Sequence, residues 1–517
     1  MILYYDWFFS DVVMKVTTWF KVLVIVSLIF SNIGAFIAKL GYLGLASAEP
    51  FVDEQKMYGG IGAEHSTCVQ PTSDSGFIIT VIEGSRSYII KTNNSGNKVW
   101  EKTIDLTSPG VVWCNSIQQT RDGGYIIVGE IDTQDVGFLG LNREVLLVKT
   151  DASGNQQWYK TIGEKTKDIA YSVQITSDGG YIVAGSTEVY GTSLRNTYII
   201  RTDLSGNKIW AKSLGGNLDN VAYCVQVALD GGFIVAGYVS TLNAKWDMYL
   251  IKIDSSGNEV FERTIGGAKN EVAYSMQLTP DGGLIIAGST ESFGAGGLDV
   301  YLVKTDVSGN KVWEKTFGGT QDDWAHSIQI TPDGGYILVG QTLSYGTRSW
   351  NAYLVKTDSS GNKLWEKNFG GEGDDTAISV QVTAEGGYLM VGDSNSFGAG
   401  STDVYIVRLY DMGQIVDNLK AGYKEQDDSL RLLQQTTTTD LRTQISDLNT
   451  HISDLQSALQ SANSNISKLQ SDLQSSNGQI KDLQSALESA TKMNYVALGV
   501  AVVGVIIAIA SILLRRK

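Results

Sequence analysis

The chain has 517 residues, with 57 glycines, 24 tyrosines and 11 tryptophans but 5 prolines, a balance that favours many tight turns between strands over a collagen-like or disordered chain. A formal charge of −15, with no Lys/Arg-rich block before the extreme C-terminus, argues against nucleic acid as a partner and for cations. Three cysteines, Cys68, Cys114 and Cys224, are too few for a disulfide framework and too scattered for a zinc site.

Near the N-terminus, Lys15 and Lys21 precede the apolar run VLVIVSLIF, and Ala46-Ser47-Ala48 forms a small-x-small cleavage site. This predicts a signal peptide over residues 1–48. Starting at Met14 gives it an ordinary basic n-region, whereas Val22 to Ala38 is also long enough to stay as an uncleaved anchor.

The middle of the chain is repetitive. The segment from Tyr301, YLVKTDVSGNKVWEKTFGG, recurs from Tyr353 as YLVKTDSSGNKLWEKNFGG and from Tyr198 as YIIRTDLSGNKIWAKSLGG. Gly-Asn pairs begin at Gly96, Gly154, Gly206, Gly257, Gly309 and Gly361, with spacings of 58, 52, 51, 52 and 52, and a weaker copy stands at Gly413-Gln414. A second marker, Asp122-Gly123-Gly124, returns at Asp178, Asp230, Asp281 and Asp333, as Glu385, and in degenerate form as Asp74-Ser75-Gly76. Each unit holds four runs rich in Val, Ile, Tyr and Trp, such as AHSIQIT, GGYILVGQT, NAYLVKTD and NKLWEKNF, separated by turns in which Gly supplies positive φ and Asp or Asn bonds the local backbone. Seven units of four strands predict an all-β, seven-bladed β-propeller over residues 49–418, because a lone four-stranded sheet cannot bury both faces and a closed ring of sheets can. Aligned by repeat, Cys68 and Cys224 fall at the position of Ser172, and Cys114 two residues earlier, as small buried residues of an inner strand.

The order of inner strand, GGYILVG, a VYLVKTD strand and a Trp-bearing strand is similar to kelch-type propeller blades. The whole resembles repeat propellers of archaeal and bacterial cell surfaces. The resemblance implies that the AHSIQIT-type strand lines the central channel and that the Trp strand lies outermost. Two segments can supply the outer strand of the last blade, Gly413 to Asn418 or Phe51 to Tyr58, and the second would join the two ends of the ring.

A polar linker over 419–440 follows, and then an unbroken heptad pattern over 441–490. Ile445, Ile452, Leu459, Ile466, Leu473, Ile480 and Leu487 hold one register position, and Leu441, Leu448, Leu455, Ala462, Leu469, Ser476, Leu483 and Ala490 the other, the small residues weakening the coil where they fall. This predicts a parallel dimeric coiled-coil stalk about 75 Å long. Residues 495–514 carry no charge and predict a transmembrane helix, with Arg515-Arg516-Lys517 as a cytoplasmic tail and all that precedes the helix outside the cell.

The recurrent polar feature lies at the start of each inner strand. Glu64, Asp168, Asn220, Glu271, Asp323 and Asp375 align there, Val112 breaks the series, and Asp219, Asp322 and Asp374 stand beside it. Glu64, Asp168, Glu271, Asp323 and Asp375 are candidate metal ligands in an acidic ring that could hold Ca²⁺, and otherwise caps of the turn entering each strand. Tyr190, Phe293, Tyr345 and Trp350 on the longer loops, with Trp324 on the sixth inner strand, are candidate ligand contacts, and otherwise anchors of those loops. The Asp-x-Ser-Gly-Asn turns lack the further acidic ligands of a calcium loop. The sequence has three histidines and no HExxH, GxSxG or phosphate-binding glycine loop, so it reads as a binding protein, not an enzyme. A membrane-anchored surface module that recognises glycan or protein is the favoured reading. A structural cell-envelope element and a carboxylate-dependent hydrolase of polysaccharide are the alternatives.

Overall fold

A computed structural model describes residues 50–410, apart from 107–109, 134–141, 164–166, 190–191, 242–244 and 347, together with residues 457 and 460. The signal segment, linker, stalk and membrane helix read from the sequence, and the candidate outer strand Gly413 to Asn418, lie outside the described residues. Among the described residues no helix is long and apolar enough to cross a membrane. The described residues 50–410 belong to one compact unit.

That unit is a seven-bladed β-propeller of seven antiparallel four-stranded sheets. In six blades the four strands follow in chain order from the channel outwards. Blade 6, for example, runs Asp323–Ile330, Tyr336–Thr342, Asn351–Thr357 and Lys363–Phe369. Blade 7 takes three strands from its own repeat, Asp375–Val382, Gly387–Ser394 and Asp403–Tyr410. Its outer strand is Phe51–Tyr58, which pairs antiparallel with the third strand from Phe51↔Tyr410 to Tyr58↔Val404. The N-terminal segment therefore closes the ring.

Both faces of each second and third strand are buried, which is why these strands read as nearly continuous apolar runs and not as alternating ones. In blade 6, Ile337 and Val339 pack towards blade 7 against Tyr388, Met390 and Val407. The residues between them, Tyr336 and Leu338, pack towards blade 5 against Ile285, Ala287 and Leu302. The cluster of Val69, Ile79, Val81 and Ile90 with Leu389, Val391 and Ile406 joins blade 1 to blade 7 in the same way.

The outer-strand tryptophans and the Gly-Asn turns form one contact. Trp100, Trp158, Trp313 and Trp365 meet Tyr125, Tyr181, Tyr336 and Tyr388 of the following blade, with ring centroids 6.1 to 6.3 Å apart. Gly361 has φ of +76° in its turn, and a Cβ there would stand 2.6 Å from the ring of Trp313. Glycine is thus required both for the turn and for the approach of the neighbouring blade.

The inner strands are laced around the channel. Val225 N donates to Ser172 Oγ at 3.2 Å and Val69 N to Ser379 Oγ at 3.3 Å. Ile330 N donates to Gln277 Oε1 at 2.7 Å and Gln381 Nε2 to Val69 O at 2.9 Å. Cys68 and Cys224 take the serine position of this ring, and all three cysteines are free thiols. Burial pushes the Cys114 and Cys224 thiols up to about 12.

Candidate functional site

Every inner strand carries a β-bulge at its fourth residue. In blade 3, Ala170 pairs with Gly185 and Ser172 with Ala184, so that Tyr171 is the extra residue, and the other six inner strands shift register at the same place. A bulge re-aims its extra side chain. Here the re-aimed residues are Thr67, Asn115, Tyr171, Tyr223, Tyr274, His326 and Ile378. The bulge also explains the glycine that ends the GYILVG run, because a Cβ on Gly340 would collide with the Trp324 carbonyl.

Four of these bulge residues touch across adjacent blades. Ring centroids lie 5.0 Å apart for Tyr171 and Tyr223, 5.2 Å for Tyr223 and Tyr274, and 5.7 Å for Tyr274 and His326. The chain of rings continues at one end from His326 to Trp324 and Trp350, at 6.2 and 5.7 Å. A branch leaves the chain at Tyr223 for Tyr238, and Tyr238 stacks on Trp246 at 4.8 Å. A continuous aromatic belt thus runs across blades 3 to 6, from the channel wall to the loops of one mouth, where Trp246 is 40% exposed. The Arg195 guanidinium lies over the Tyr238 ring and donates to both carboxylate oxygens of Asp219, at 3.0 and 2.8 Å.

Burial pushes the Tyr171 and Tyr274 phenols up to about 12 and holds the His326 imidazole down at about 4, so the belt is uncharged at neutral pH. Trp324 Nε1 and His326 Nε2 are buried without a hydrogen-bond partner. Across the mouth the lining is polar. His65 Nδ1 lies 3.0 Å from Asp393 Oδ2, which raises the imidazole's affinity for a proton, and Ser66 donates to Asp393 Oδ1 from both N and Oγ.

Of the aromatic residues read from the sequence, Trp324 and Trp350 meet in this belt. Phe293 and Tyr345 do not. They pack on Tyr301 and Tyr353 of their own blades at 5.7 and 5.6 Å, and Tyr345 Oη also donates to Gly318 O at 2.8 Å, which is how a loop is anchored. Tyr190 lies outside the described residues. Tyr171, Tyr223, Tyr238, Trp246, Tyr274 and His326 escaped the sequence reading. Tyrosines recurring four residues into successive inner strands were the available signal, but alternation alone does not reveal a bulge.

The aligned acids are buried, each against its own turn. Glu64 Oε1 accepts from Gly60 N at 2.9 Å and Glu271 Oε2 from Gly267 N at 2.7 Å. Asp323 Oδ2 and Asp375 Oδ2 each accept from the N–H four residues back, Gly319 and Gly371, at 2.8 Å. Asp168 is 1% exposed at the same position. These geometries favour the turn-cap reading over a single ring of converging ligands, and among the described residues no three or more His, Cys, Asp or Glu side chains are grouped to hold a metal ion. The acids beside them cap the neighbouring blade: Asp322 Oδ1 accepts from Leu298 N at 2.8 Å and Asp374 Oδ1 from Trp350 N at 3.1 Å.

Comparison with known proteins adds no site. The regulatory protein FlaEY of Caulobacter vibrioides is 22% identical over 304 residues, covering 48% of this chain and 32% of its own. The chain thus spans about a third of that relative's length. Similar solved structures include the WD40 domain of Neurospora crassa Pan2, with TM-score 0.46 and 11% identity over 70% of this chain and 96% of that one. Catalytically inactive virginiamycin B lyase from Staphylococcus aureus with quinupristin has TM-score 0.45 and 12% identity over 69% and 99%. No protein-family model matches. The blade count rests on the strand order of the seven sheets themselves.

A further polar feature was also absent from the sequence reading. Each blade buries one cation of its third strand under its Asp-Gly-Gly turn: Lys91 with Asp74, Lys149 with Asp122, Arg201 with Asp178, Lys252 with Asp230, Lys304 with Asp281, Lys356 with Asp333 and Arg408 with Glu385. Both partners were visible as repeats, and their fixed offset was the missed signal. These pairs lie at the far end of the blades from the aromatic mouth, and their role is structural.

Proposed function

We propose that this chain is a membrane-anchored surface protein of the kelch-like type whose propeller, held outside the cell on a dimeric stalk, binds a glycan or protein ligand at the aromatic mouth. The observation that carries this reading is the belt from Tyr171 to Trp350, which offers stacked rings to an amphipathic ligand beside the unpartnered Trp324 Nε1 donor. Rings with a polar tip at the edge of a concave surface suit the faces of sugar rings and of peptide side chains alike. Within that pair we favour the glycan, because the opposite wall, with His65, Asp393 and Ser66, supplies hydrogen-bonding groups of the kind sugar hydroxyls need.

The anchor and the orientation derive from the apolar segment 495–514 and the basic residues after it. No constellation of nucleophile, base and oxyanion donors accompanies the belt among the described residues, and binding without turnover is the proposed activity. The test is a glycan array probed with the full-length chain in detergent, followed by titration of any hit against Trp246→Ala and Trp324→Ala. Each variant should weaken binding about fivefold, the equivalent of the roughly 1 kcal/mol that one aromatic contact contributes. A chain that binds no glycan, or variants that bind as the parent does, would overturn the reading.

A further inference from the structure

At several blade junctions a side chain from the start of one inner strand stands beside one from the third strand of the preceding blade, next to the glycine that opens the connecting turn. Asn196 and Asn220 meet in this way at Gly215, Asn351 and Asp375 at Gly370, Asp247 and Glu271 at Gly266, Asp299 and Asp323 at Gly318, and Asp403 and Glu64 at Gly59. The glycine is needed for close approach. A Cβ on Gly318 would collide with Asp323 Oδ2 and lie 2.8 Å from Asp299 Oδ1, and one on Gly59 would collide with Asp403 Oδ1 and lie 2.9 Å from Glu64 Oε2.

The charge at these junctions differs. The first pair is neutral and the second carries one carboxylate. The third carries two, with a built-in cation: Lys245 Nζ stands 3.7 Å from Asp247 Oδ1 and also donates to Gly267 O. The last two pairs have two carboxylates each and, among the described residues, no ion pair to any of them. All four are buried, with Glu64, Asp403, Asp299 and Asp323 at 3%, 1%, 2% and 0% exposure. Two buried carboxylates side by side repel each other unless a counter-charge stands with them.

A second observation points to what supplies it. Glu64 Oε2, the oxygen facing Asp403, is buried with no hydrogen-bond partner, although Glu64 Oε1 is satisfied by Gly60 N. At the Asp299–Asp323 junction the oxygen beside Asp299 is Asp323 Oδ2, which already accepts from both Gly319 N and Ser344 Oγ. We propose that the Glu64–Asp403 pair binds a hard divalent cation of the calcium class, which takes the place that the Lys245 ammonium fills at the third junction.

The donors are all oxygen, and carbonyls stand close by: a Cβ on Gly400 would lie 2.9 Å from Gly60 O. Two carboxylates with carbonyls and water make a weak site, in the range of about 10⁻⁴ to 10⁻³ M found for extracellular calcium modules. The site pins the junction where the N-terminal strand closes the ring. It does not include the aromatic belt, so the proposal is independent of the ligand reading.

The test uses the full-length chain in detergent, stripped with EDTA and titrated with CaCl₂, with bound Ca²⁺ counted by equilibrium dialysis and the melting midpoint followed in parallel. One ion should bind per chain, and the midpoint should rise between 0.1 and 10 mM, roughly the range of weak extracellular sites. Asp403→Asn, which installs the amide found naturally at Asn351, should remove that ion and melt in EDTA no lower than the parent, whereas Asp299→Asn and Asp375→Asn should leave it in place. A parent that binds no Ca²⁺ overturns the proposal, and so does unchanged stoichiometry in Asp403→Asn.

Discussion

Replacing Lys356 with Met tests whether the repeated buried cation holds each blade together. Its side chain is 1% exposed, and its Nζ donates to Asp333 Oδ2 at 2.7 Å, Thr331 Oγ1 at 3.0 Å and Thr357 O at 3.0 Å. Methionine keeps the volume and removes the charge. Breaking a buried pair from one side costs about 3–5 kcal/mol, because the remaining charge is left uncompensated. The Asp333 side chain is 26% exposed, so water relieves part of that cost and the lower end, about 3 kcal/mol, applies. Blade 1 supplies the control. Lys91 is buried in the same way, but its partner Asp74 is 65% exposed and can return to water, so Lys91→Met should cost about 1 kcal/mol, the contribution of one ordinary hydrogen bond. In thermal unfolding of the full-length chain these values correspond to drops of roughly 4 °C and roughly 1 °C, at about 2.1 cal/mol/K of unfolding entropy per residue over the propeller. Adding Asp333→Asn to Lys356→Met should recover part of the loss, since the orphaned charge is gone. Equal drops for the two lysine variants, or no drop for Lys356→Met, would refute the reasoning.

Acid should weaken the same pairs. Hydrogen bonds from Thr279 and Lys304 hold the Asp281 carboxyl at about 2, and at Asp122 those from Thr120 and Lys149 outweigh burial to the same result. Both folded values lie below the unfolded one near 3.9, so their contribution is complete above about pH 4 and is lost as pH falls to 2, which an acid titration by circular dichroism would follow. His326 acts at higher pH. Burial lowers it to about 4, so the unfolded chain takes up the proton first, and stability complete above about pH 6.5 is lost between there and pH 4. His326→Phe should flatten the melting midpoint over that window. Ser75 has φ of +64° in the degenerate turn where the aligned Gly334 has +80°, so Ser75→Gly should stabilise by a few tenths to about 1 kcal/mol, measured by urea denaturation. Deleting residues 51–58 removes the strand that pairs with Asp403–Tyr410 and should lower the midpoint by roughly 10 °C or more, against little change for trimming the loop at Gly346.

The blade count and strand limits were legible in the sequence because they rest on local chemistry repeated at a fixed interval. The Gly-Asn and Asp-Gly-Gly turns set where each hairpin reverses, and runs such as YLVKT mark strands buried on both faces. Ring closure was not local: Phe51–Tyr58 and a segment some 360 residues later were equally good strands, and only the pairing with Asp403–Tyr410 decided between them. The candidate site was legible in part. Trp324 and Trp350 were found, but Phe293 and Tyr345, alike by sequence, turn back onto their own blades. The bulge that turns Tyr171, Tyr223, Tyr274 and His326 into the channel is a register shift between two strands, and no single strand's pattern contains it. The acids show the same division. Their recurrence was a property of the chain, whereas their burial, their capped turns and the charge each one meets across a junction depend on the residue that the preceding blade places opposite, and that is decided only when the blades pack into a ring.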